Sequence, residues 1–135
     1  MTPVTRLTGP LVALVLAVGV LGPAAAVTSS YGHTSARDGR LRDGCHNYGY
    51  HYVVRTPTND WTLETFLVDR TGEHIASGVL LSGSEPRRGQ AVFRFCRYAT
   101  EPGRFTIRAK VHWYVGFSEE HSARFEPSHF RLRRG

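Results

Sequence analysis

From Cys45 onward, apolar and polar residues alternate with a period of two, and turn formers cut that alternation into short runs. Alternation of this kind marks strands that bury one face and wet the other. The clearest run covers residues 104–115. There Phe105, Ile107, Ala109, Val111, Trp113 and Val115 interleave with Thr106, Arg108, Lys110, His112 and Tyr114. Further runs predict strands over residues 48–55, 61–69, 74–81, 90–98 and 128–133. In the first, Tyr50, Tyr52 and Val54 share a face; in the second, Trp61, Leu63, Thr65 and Leu67 do. Thr56-Pro57-Thr58-Asn59-Asp60, Asp69-Arg70-Thr71-Gly72 and Thr100-Glu101-Pro102-Gly103 carry turn chemistry between them. No stretch sustains an i, i+3, i+4, i+7 apolar stripe, so helices should be minor. Six such strands with short connections predict an all-β antiparallel two-sheet β-sandwich, with a small closed barrel as the alternative.

One run resists a simple reading. Strict alternation over residues 90–98 turns Ala91, Phe93 and Phe95 inward and therefore sends Cys96 outward with Val92, Arg94 and Tyr98. Either a bulge near Cys96 resets the register, or a bridge through Cys96 lies toward the edge of the core.

The first 26 residues have a different texture. Arg6 supplies a positive start, residues 11–21 form an apolar run broken by Gly19, and Pro23-Ala24-Ala25-Ala26 offers a small-residue cleavage site. This is the pattern of a secretory signal peptide, shorter than a membrane span and interrupted by Gly and Pro. Its removal from the 135 residues leaves 109, one domain's worth, beginning near Val27. Residues 27–44 are polar, rich in Gly, Ser, Thr and Arg, and lack either period, so they read as a flexible lead to a β-sandwich domain over residues 45–135.

Export changes the meaning of the cysteines. Cys45 and Cys96 are the whole complement, and an even pair outside the cytoplasm predicts a disulfide. Closing that loop removes about 4 kcal/mol of unfolded-chain entropy in the simple polymer picture. Net charge is +6, and all but one of the 17 basic residues are arginine, Lys110 being the exception. Arginine favours bidentate contact with phosphate or carboxylate, although a GC-rich coding sequence also enriches it.

The order Cys45, Trp61, Cys96 resembles that of immunoglobulin-like domains, in which a Trp on the third strand packs on an inter-sheet disulfide. That resemblance covers Cys45 to Arg134 and implies a sandwich whose two sheets are joined by the bridge. It departs at the tyrosine expected two residues before the second cysteine, where Arg94 stands and Tyr98 follows instead. The sum of export signal, Trp-x-Leu-Glu-Thr-Phe strand, Asp-x-x-Gly turn, Phe-x-Phe-Cys strand and closing Phe-x-Leu-Arg is similar to small secreted bacterial proteins of unassigned function from GC-rich Gram-positive organisms.

Catalytic chemistry has little to stand on. Ser82-Gly83-Ser84 lacks the frame of a nucleophile elbow, the seven histidines are scattered without ligand spacing, Glu119-Glu120 fall on an expected loop, and no glycine-rich phosphate loop precedes a helix. Neither an enzyme, a metal site nor a cofactor is expected. The candidate site is instead a face for an anionic ligand, made by Arg108, Lys110, His112 and Tyr114. Arg94 or Arg97 is expected to flank it from a neighbouring strand, and Arg131, Arg133 and Arg134 cluster at the C-terminus. The expected function is a secreted, monomeric, non-catalytic binding module for an anionic cell-envelope polymer or an extracellular protein, with no nucleic-acid motif and no retained anchor. The alternative is a small secreted enzyme inhibitor or hydrolase acting through the loop at residues 82–89.

Overall fold

The computed structural model describes residues 30–135, together with the isolated positions Pro3, Gly9 and Gly19. The expected signal peptide lies outside the described residues. Among the described residues nine strands make up the fold: β1 (Gly32–Ser35), β2 (Gly39–Leu41), β3 (Cys45–Val54), β4 (Trp61–Val68), β5 (His74–Leu81), β6 (Arg88–Cys96), β7 (Gly103–Val115), β8 (Glu119–Arg124) and β9 (Ser128–Arg134). A short 3-10 turn at Arg97–Ala99 links β6 toward β7. The protein is all-β, with two sheets packed face to face. The smaller has the order β1-β3-β6; the larger has the order β2-β9-β7-β4-β5, with β8 also on β7. All pairings are antiparallel except that of β2 with β9. No helix of the described residues is long and apolar enough to cross a membrane.

The six strands foreseen from alternation are present, and their inward residues form the core. Leu63, Leu67, Phe105, Ile107 and Val111 are wholly excluded from solvent. Aromatic rings line the interior: within the smaller sheet Tyr50 stacks on Phe93 at 4.4 Å and Tyr48 on Phe95 at 4.3 Å, and Phe105 of the larger sheet stands between Phe95, across the interface, and its neighbour Phe130. Such offset stacks add about 1 kcal/mol each beyond the area they bury. Polar groups taken inside are matched. The hydroxyls of Tyr50 and Thr65 share a 2.9 Å hydrogen bond across the core. Burial pushes the Tyr50 phenol upward in pKa, which keeps it a neutral hydroxyl.

Three strands were not foreseen. β1 and β2 occupy residues that read as a flexible lead, because each is too short to display a period and each is held by its neighbour: β1 by β3, β2 by β9. At Gly32, with φ of +146°, an added Cβ would collide with the Val53 carbonyl and the Phe125 ring, so that position requires glycine. The third, β8, reads Glu-Glu-His-Ser-Ala-Arg and has almost no apolar face, yet it pairs with β7 from Lys110 to Val115. Between the pairs Lys110/Arg124 and Ile107/Ser128, β7 spends two residues and the facing chain three, Phe125, Glu126 and Pro127. Pro127 cannot donate to a ladder, so the strand breaks there and resumes as β9.

Cys45 and Cys96 form a disulfide, as expected. Its position corrects the arrangement implied by the immunoglobulin resemblance. The β3–β6 register runs unbroken from Cys45 opposite Cys96 to Val53 opposite Arg88, so no bulge resets it. Phe93 and Phe95 point inward, Cys96 therefore points outward, and Cys45 beside it does the same. The bridge ties two neighbouring strands on the solvent side of the smaller sheet and does not join the sheets. Trp61 is buried at the far end of β3, after the 55–60 connection, roughly 30 Å of strand from Cys45. It cannot pack on the bridge.

Candidate functional site

The outer face of the larger sheet follows from the β7 alternation. With Phe105 through Trp113 turned into the core, Arg108, Lys110, His112 and Tyr114 all stand on the opposite side, as the sequence indicated. They do not act alike. His112 is clamped: one ring nitrogen meets Glu64 Oε2 and the other Glu120 Oε1, each at 2.9 Å. Tyr114 stands opposite Glu120. At this end of the strip the carboxylates of Glu64 and Glu120 already engage the histidine.

The other end carries cations set against cations. Lys110 lies directly opposite Arg124, Arg104 opposite Arg131, and Arg40 opposite Arg133. Arg108 sits between the first two pairs, opposite Phe66 on the β4 side. Like charges directly across a ladder are destabilising, by a few tenths of a kcal/mol where exposed. Carboxylates do not relieve them. Among the described residues every ion pair is made by a histidine, and no arginine or lysine pairs with an Asp or Glu. Glu64 stands across from Lys110 in register, yet turns Oε2 to His112.

The ring of His129 registers this field. It lies opposite Thr106, whose hydroxyl is 2.9 Å from Nδ1, and its pKa falls below the ordinary imidazole value. Desolvation contributes most, followed by the guanidiniums of Arg104 and Arg108. The ring itself is exposed, so the two guanidiniums are the part of the cause that a bound anion would offset. A cleft of about 280 Å³ on the same face is lined by Glu64, Phe66, His74, Arg108, Lys110 and Arg124. Three cations around one ring suit an anionic group carried on a less polar backbone.

Arg94 and Arg97 do not join this face. Arg94 lies on the outer side of the smaller sheet, hydrogen bonding Asn47 Oδ1, and Arg97 in the 3-10 turn donates to the Thr100 carbonyl. Arg134, one residue on from Arg133, falls on the other side of β9 by alternation. Arg40 and Arg124 were missed because β2 and β8 were. Only their pairing with β9 and β7 brings them to the site. Among the described residues no three His, Cys, Asp or Glu side chains gather as metal ligands.

The loop at residues 82–89 is anchored at both ends. Glu85 and Ser84 donate their main-chain N–H to the Leu81 carbonyl, and the Tyr52 hydroxyl donates to the Pro86 carbonyl. The Arg87 guanidinium is consumed by the Val54 and Thr58 carbonyls, Thr56 Oγ1 and Asn59 Oδ1. Compared with protein-family models and with curated proteins, the chain matches none.

Proposed function

We propose that this protein is an exported, non-catalytic binding module whose basic sheet face holds an anionic polymer of the cell envelope. One observation carries the reading: three directly opposed cation pairs on one face with no carboxylate partner, an arrangement that costs folding energy and that a polyanion would relieve. The export signal read in residues 1–26 and the disulfide fit an oxidising compartment. The strand orders β9-β7-β4 in one sheet and β3-β6 in the other support an immunoglobulin-like relationship, apart from the placement of the bridge. The alternative of an inhibitor acting through residues 82–89 is weakened by Arg87, whose guanidinium is turned back into the fold and is not presented to a partner.

The test is retention of the full chain on a sulfated polysaccharide matrix. An Arg108→Gln/Lys110→Gln double variant should elute at distinctly lower salt than the parent, because phosphate-like and sulfate contacts are salt-dependent in proportion to the cations that make them. Retention at moderate salt equal to that of the parent would remove the proposal.

A further inference from the structure

A second site lies along the first half of β3. β1 pairs with β3 only from His51 to Val54 and ends at Ser35, after which the chain crosses to the larger sheet as β2. Among the described residues, the first half of β3 is therefore paired on one side only. Main-chain bonds Val54 N–H to Arg87 O and Arg97 N–H to Gly44 O fix the even-numbered residues of β3 as those facing β6. Odd-numbered residues face the other way. His51 and Val53 face β1, while among the described residues no strand lies beside Asn47 and Gly49.

In front of this open edge is a groove of about 520 Å³ between the two sheets. Its floor is Tyr48, Tyr50, Phe130 and Leu132; the wall opposite β3 is the crossing segment, which places Arg37, Arg40 and Arg42 around the opening. None of the three guanidiniums makes a hydrogen bond or ion pair with the described residues; the only Arg42 bond is its main-chain N–H to the Tyr48 hydroxyl. Gly49 adds no side chain, and a Cβ built there meets nothing nearer than the Ala91 carbonyl at 3.9 Å. The edge can be approached closely.

We infer that this groove takes an extended acidic peptide of a partner protein, added as a strand to the open half of β3. The main-chain N–H and C=O groups of Asn47 and Gly49 would supply the ladder, as in other strand-addition complexes, and alternate acidic side chains would meet the arginines. Charge fixes the class of occupant: three unpaired cations facing one edge suit glutamate or aspartate at every second position, a spacing set by the strand itself. The groove shares Arg40 with the basic face of the larger sheet, so Arg37 and Arg42 are the cations that belong to it alone.

The probe is an end-capped hexapeptide alternating threonine and glutamate, titrated into the isotopically labelled full chain and compared with its threonine–glutamine counterpart. The acidic peptide should move the Asn47 and Gly49 amide resonances and slow their hydrogen exchange, and should bind at least tenfold more tightly than the glutamine peptide. Arg37→Gln/Arg42→Gln should weaken it by tenfold or more. Gly49→Pro removes an N–H that faces the groove and no bond to β6, so it should leave the fold intact and abolish binding. Equal affinity for the two peptides, shifts confined to Arg104 through Arg133, or full binding to a folded Gly49→Pro variant would each overturn the inference.

Discussion

Asp69 sits at the corner where three pieces of the fold meet, and its removal has a calculable cost. The residue is 6% exposed. Oδ1 accepts from the Thr71 N–H at 2.8 Å, the Thr71 hydroxyl at 2.7 Å and the Glu73 N–H at 3.2 Å, while Oδ2 accepts from the Thr100 hydroxyl at 2.9 Å. The first three shape the β4–β5 turn, with Gly72 at φ +92°, and the last ties that turn to the approach to β7. In Asp69→Ala the Thr71 and Glu73 donors, which are exposed, turn to water at small cost, whereas the buried Thr100 hydroxyl loses its acceptor. Losing one charged hydrogen bond to a buried partner and several to exposed ones comes to about 3 kcal/mol. For a domain of this size that lowers Tm by roughly 15 °C. Burial raises the Asp69 carboxyl, but the bonds from Thr71, Thr100 and Glu73 outweigh it and hold the pKa below the usual carboxylate range. A depressed carboxylate binds fewer protons folded than unfolded. Its stabilisation is complete above about pH 4 and is lost as pH falls through the lower folded value. Urea unfolding followed by Trp61 and Trp113 fluorescence should therefore show the full difference between parent and variant at pH 7 and a smaller one at pH 2.5. A difference below about 1 kcal/mol at pH 7, or one independent of pH, would refute the role assigned to this carboxylate.

Other consequences are as direct. Because the Cys45–Cys96 bridge lies on an outer face, a thiol reductant should open it without denaturant, and a double serine variant should lose about 4 kcal/mol while its core emission stays native; reduction only in urea would contradict that placement. Gly32→Ala should lower stability by more than 2 kcal/mol in the same unfolding assay, since the new methyl group meets the Val53 carbonyl and Phe125 at once. Arg104→Gln should raise the His129 pKa toward about 6.5 in an NMR titration. In the parent, that depressed value means stability declines as pH drops from about 6.5 through the lower folded value, and the variant should show less of this decline. An unchanged His129 titration would mean that Arg104 exerts no field there.

Alternation alone located most of the fold. β7 was legible because the eleven residues from Phe105 to Val115 hold a strict period, and of the two readings left open for Cys96 the unbroken register favours the one without a bulge. β1, β2 and β8 were not legible, because a three- or four-residue strand has no period to show, and β8 is a strand through pairing with β7 and not through burial of its own side chains. The same gap limited the site. Arg108 and Lys110 could be read as neighbours on one strand, but Arg40, Arg124 and Arg131 come to the same face only through tertiary pairing. The bridge was misleading for a related reason: three residues in an immunoglobulin-like order specify no register, and register decides whether a disulfide crosses between sheets or lies within one.

The basic face is best tested by equilibrium binding of a defined polyanion, poly(glycerol phosphate), to the full chain and to two charge-matched double variants. Arg104→Gln/Arg131→Gln removes an opposed pair from the larger sheet; Arg88→Gln/Arg94→Gln removes two cations from the outer side of the smaller one. The first should weaken binding by tenfold or more, while the second should stay within about twofold of the parent. Equal losses in both would show that net charge alone attracts the polymer, and that the opposed cations of β7, β8 and β9 form no binding face.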